Sequence, residues 1–138
     1  MTISELVTYQ NIKTAQINTT KNDINSINSK INIIREARKE IKLLKEKAED
    51  IRSCSFNRID FHDNSLWDGD KKNQFKSDYI NLNNNDINHY INALDELADQ
   101  LIDREKHLID AKNDYVVVLE QLNDAWNWLT GEIKKLFN

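Results

Sequence analysis

An all-α fold is what this sequence predicts: a long antiparallel helical hairpin that completes a helical bundle with a partner. Three observations carry that expectation. The 138 residues include no proline and only two glycines, so little interrupts helix. Apolar residues recur at seven-residue intervals through both halves of the chain. The glycine near the middle sits in Trp67-Asp68-Gly69, where the heptad pattern lapses and the backbone has most freedom to turn.

The first helix is expected over about 3–53. One heptad series runs Ile3, Gln10, Ile17, Ile24, Ile31 and a second runs Leu6, Lys13, Thr20, Ile27, Ile34, Ile41, Ala48, which together form an a/d seam. Leu44 and Ile51 are expected to continue it as the stripe drifts around a straight helix. Lys13, Lys30, Arg35, Lys39, Lys42 and Lys45 alternate with Glu36, Glu40, Glu46 and Glu49, the pattern of a solvated face with i, i+4 pairs.

Residues 54–70 lose the heptad and are expected to form a loop and turn. Gly69 supplies the turn, Asp68 or Asp70 caps the following helix, and Trp67 covers the open end of the seam, with Phe75 a short distance into the second helix. That helix is expected over about 71–136. Ile80, Ile87, Leu94, Leu101, Leu108, Tyr115, Leu122, Leu129 and Leu136 fall at every seventh position, flanked by Tyr90, Leu97, Ala111, Val118 and Ala125 and by Ile91, Ala98, Leu119, Trp126 and Ile133. The Asn-rich run 81–86 favours helix poorly. Because the heptad phase survives across it, a weakened continuous helix is expected, with a kink as the alternative.

Residues 1–53 carry ten Lys/Arg against seven Asp/Glu and residues 54–138 carry nine against sixteen. Halves of opposite sign suit elements that lie against each other better than a nucleic-acid binder. The single Cys54 cannot form an internal disulfide. Neither an N-terminal leader nor a stretch of about 20 apolar residues is present, so the expectation is a cytoplasmic protein without a membrane span, exported only by a route that reads no N-terminal signal.

A Trp-x-Gly turn between two long helices, a phenylalanine soon after it, and a small acidic leaderless chain resemble the WXG superfamily of Gram-positive type VII secretion. The length and the position of the turn are most like the longer, YwqH-like helical proteins associated with LXG toxins. The resemblance covers the chain as architecture, but its specific part is Trp67, Gly69 and Phe75. It implies a targeting chaperone or adaptor that binds a toxin's helical N-terminal domain or a second small helical protein and assists its export. One departure stands out. The Tyr-x-x-x-Asp/Glu signal of that superfamily is missing, since Asn83, Leu94 and Leu119 follow Tyr79, Tyr90 and Tyr115. Either the partner supplies the signal or this chain stays behind as a chaperone.

If residue 53 lies opposite residue 69, Ile3 falls opposite about residue 119 and the second helix outruns the first by roughly 30 Å. That overhang holds Leu122, Ala125, Trp126, Leu129, Ile133, Leu136 and Phe137, the residues expected to bind the partner, with Trp128 on a different face. The competing expectations are a fold-back at Gly131 or a homodimer. Nothing forms a catalytic, cofactor or metal constellation. His62, His89 and His107 are scattered, and Asp60, Asp63, Asp68 and Asp70 lack the pattern of a calcium loop. A non-enzymatic adaptor is therefore the first reading. A homo-oligomeric coiled-coil structural or tethering protein is the second.

Overall fold

The computed structural model describes residues 1–58, 69–81 and 85–137. Apart from Met1 and Thr2, every described residue is helical. Helix α1 spans Ile3–Arg58, α2 spans Gly69–Asn81 and α3 spans Ile87–Phe137. Asn85 and Asp86 form a π-helical turn that leads into α3. Trp67, Asp68 and the segment 82–84 lie outside the described residues, and with them the turn motif and the continuity of the second half. Gly69 is the first residue of α2, and no glycine among the described residues has positive φ.

Helix α1 starts at a capping box that the sequence spells as Thr2-Ile3-Ser4-Glu5. The Glu5 N–H donates to Thr2 Oγ1 at 3.2 Å and the Thr2 N–H donates to Glu5 Oε2 at 3.3 Å. Two amide donors that a helix start leaves unpaired are thereby satisfied. Farther along, the hydroxyls of Thr8, Thr14, Thr20, Ser29 and Ser53 each donate to the carbonyl four residues back. This bond allows Thr20 to occupy a core position without leaving a buried polar atom unpaired.

The chain divides into two units, residues 1–34 with 104–138 and residues 35–103. In the first unit, Gln10 Nε2 donates to Thr130 Oγ1 at 2.6 Å and the Trp126 indole N–H donates to Thr14 Oγ1 at 3.1 Å. In the second, the Lys45 ammonium meets Asp95 at 2.7 Å and the Arg52 guanidinium donates to Asn88 Oδ1 at 2.6 Å. The two residue numbers add to 140 in every one of these pairs. Helices α1 and α3 are therefore antiparallel in both units, in one register.

The core of the first unit is Leu6, Ile17, Thr20, Ile27, Ile31 and Ile34 on α1, with buried Glu105 and Leu129 on α3. In the second unit it is Ile41 and Ala48 with Ile91 and Leu94. The α1 seam keeps strict heptad spacing: the a series continues through half-buried Arg38, Lys45 and Arg52. Leu44 and Ile51, expected to carry the seam onward, are instead 42% and 55% exposed. The stripe does not drift, as expected when helices are underwound to about 3.5 residues per turn. On α3 the inward series are 87, 94, 101, 108, 122, 129 and 91, 98, 105, 112, 119, 126, 133.

The expected register was eighteen residues out, and with it the overhang disappears. Ser53 lies level with Ile87, not Gly69, and Ile3 lies level with Phe137. The reason is that the cross-helix partners of α1 at Gln10, Thr14, Lys45 and Arg52 all lie on α3. The described side chains of α2, Phe75 included, are all exposed. Helix α3 also runs through Gly131 to Phe137 without a fold-back.

Two substitutions test this helical account. A Cβ at Gly131 would meet nothing within 4 Å, so Gly131→Ala should raise stability by about 0.5–1 kcal/mol in denaturant unfolding. Thr2→Ala should remove the cap and lower it by about 1 kcal/mol, with increased amide exchange confined to the first turns.

Candidate partner-binding surfaces

The heptad pairing gives the two flanks of the core different chemistry. One flank is joined by polar bonds. In the first unit these form a reciprocal clasp: Gln10 donates to Thr130, whose hydroxyl donates to the Trp126 carbonyl at 3.1 Å. In return the Trp126 indole donates to Thr14, whose hydroxyl donates to the Gln10 carbonyl at 3.0 Å. Each threonine accepts from the opposite helix and donates to its own, so both hydroxyls are used twice. In the second unit the same flank holds Lys45–Asp95 and Arg52–Asn88. The hydrogen bond to Asp95, and then its charge, hold the Lys45 ammonium above the ordinary lysine range, so the stability Lys45 gains here is lost as pH rises through that raised value.

The opposite flank is apolar and open. In the second unit it holds a groove of about 350 Å³ lined by Leu44, Lys47, Ala48, Ile51, Asp86, Ile87 and Tyr90. Leu44 and Ile51 are one heptad apart on α1, and Tyr90 and exposed Leu97 are one heptad apart on α3. Small, buried Ala48 forms the floor between them. In the first unit this flank carries a mixed groove of about 470 Å³ lined by Lys13, Gln16, Thr19 and Thr20 as well as Val118 and Leu122, and an apolar one of about 220 Å³ beside Tyr9, Ala125 and Trp128. Two paired helices cannot cover these positions, because the faces that could do so are turned into the a/d seam.

The residues expected to bind a partner separate into two groups. Leu129 is buried at 5%, and Leu122, Ala125, Trp126 and Ile133 are half-buried, so these five are engaged wholly or partly within the first unit. Leu136 and Phe137 remain exposed, the latter at 73%. Trp128, set apart in the sequence reading, is 59% exposed and borders two grooves together with Met1. Once the register is known, the spacing explains this grouping, because Tyr9 and Met1 approach the end of α3 only in a pairing whose numbers add to 140. Of the turn-motif residues, Phe75 is exposed on α2 and Gly69 opens it. Ile33, Leu43 and Ile102 are also exposed.

Among the described residues no three His, Cys, Asp or Glu side chains gather as a metal site would require, and no helix is long and apolar enough to cross a membrane. Compared with family models, curated proteins and solved structures, the chain matches none.

Leu129 and its neighbour provide a direct contrast. Leu129→Ala should cost about 2 kcal/mol or more as a core truncation, whereas Trp128→Ala should change unfolding by no more than about 0.5 kcal/mol. Thr130→Val should break the clasp and cost about 1 kcal/mol. All three are read from urea unfolding curves.

Proposed function

We propose that this chain is a non-enzymatic helical adaptor or targeting chaperone. It adds its two paired helices to those of a partner and so completes a bundle. Leu44, Ile51, Tyr90 and Leu97, exposed at heptad spacing on one flank, carry this reading. Burying such side chains contributes about 1.5–3 kcal/mol each, and contiguous exposed apolar surface marks an interaction site. Tyr9, Val118 and Trp128 place similar surface on the first unit. The resemblance to the WXG superfamily, carried by Trp67, Gly69 and Phe75, makes the partner the helical N-terminal domain of an LXG-type toxin, or a second small helical protein, moved by the type VII route.

Coexpression with the helical N-terminal domain of an LXG-type toxin, followed by size-exclusion chromatography with light scattering, tests the proposal. A stable mixed complex is expected, and Leu44→Asp with Leu97→Asp should abolish it while leaving the helical circular dichroism signal unchanged. A stable homo-oligomer indifferent to any helical partner would favour a structural coiled-coil role instead. A cooperatively folded monomer that binds no helical partner would refute both readings.

A further inference from the structure

Within the second unit the two helices bring unlike side chains to their seam. On α1 the a positions are Arg38, Lys45 and Arg52, all half-buried, and the d positions between them are buried Ile41 and Ala48. On α3 the inward positions are Ile87, Ile91, Leu94, Ala98 and Leu101, with no charge among them. The basic side chains therefore lay their stems along an apolar face and send their charged ends out of the seam. Acceptors on α3 receive them. Lys45 Nζ meets Asp95 at 2.7 Å and the Arg52 guanidinium donates to Asn88 Oδ1 at 2.6 Å. Asn88 and Asp95 are one heptad apart, as are Lys45 and Arg52, so a row of donors on one helix matches a row of acceptors on the other.

We infer that the basic row Arg38, Lys45 and Arg52 selects the helix that α1 pairs with: it directs α1 to α3 and bars it from α1 of a second copy. Self-pairing would otherwise be open to α1, because Ile17, Ile24 and Ile31 hold its a positions in the first unit, and β-branched residues there suit parallel coiled coils. Parallel self-pairing sets each a position against its own copy. Arg38 would then face Arg38, Lys45 would face Lys45 and Arg52 would face Arg52, three layers of like charge that strongly disfavour the pairing. In an antiparallel pair of α1 helices, the positions equivalent to Asn88 and Asp95 are Arg35, Lys42 and Glu49. Two of these three are cations, whereas α3 supplies an acceptor to both Lys45 and Arg52.

Light scattering of the full-length protein over a concentration series tests this. The variant Arg38→Leu, Lys45→Leu, Arg52→Leu should self-associate at least about tenfold more tightly than the wild type. A control, Lys39→Leu, Glu46→Leu, Ser53→Leu, adds the same three leucines at the exposed neighbouring positions and should not reproduce that gain. Urea unfolding gives a second reading. Lys45→Glu should lower the midpoint, and adding Asp95→Lys should restore it, because the reversed pair makes the same bond. Unchanged association in the seam variant, or an equal gain in the control, would overturn the inference. So would a reversed pair no more stable than Lys45→Glu alone.

Discussion

Two helices with only one seam between them must agree on a register, and here that agreement governs the surroundings of nearly every described side chain. The cross-helix bonds at Gln10–Thr130, Thr14–Trp126, Lys45–Asp95 and Arg52–Asn88 all obey one relation. They do so because both helices keep a 3.5-residue repeat, which holds the same face inward turn after turn. A slip of one heptad would keep leucine and isoleucine in the seam while breaking all four bonds. The apolar layers alone therefore permit several alignments, and the polar pairs select among them.

The same register sorts the remaining surface into two kinds. Residues on the bonded flank have partners within the molecule, and most of the basic side chains of α1 between residues 35 and 53 belong there. The other flank is left with Leu44, Ile51, Tyr90 and Leu97 in the second unit and Tyr9, Val118 and Trp128 in the first. A compact helical domain normally closes its core with three or four helices. The described side chains of α2 are all exposed. The apolar flank is thus a consequence of how few helices share the seam, and it gives the surface its capacity for association.

The sequence by itself determined the helical class and the α1 face that turns inward. In the series Leu6, Lys13, Thr20, Ile27, Ile34, Ile41, Ala48 every member is buried except half-buried Lys13, because a seven-residue apolar repeat has only one way to hide in a helix pair. On α3 the two inward series were legible where they are apolar but not at Glu105 and Lys112, which occupy inward positions for reasons no hydropathy pattern contains.

Tertiary structure alone decided which residues stand opposite one another. Periodicity fixes a face but carries no origin along the helix axis, so placing the returning arm at residue 71 satisfied the heptads as well as the observed start at Ile87. The accompanying shift of eighteen residues in register converted an expected overhang into paired helix. It drew Leu129 into the core and Trp126 into a bond with Thr14, and it moved the open apolar surface to a flank whose groove lies beside Leu44, Ile51 and Tyr90. Register depends on contacts between residues far apart in the chain, and those exist only once the helices have met.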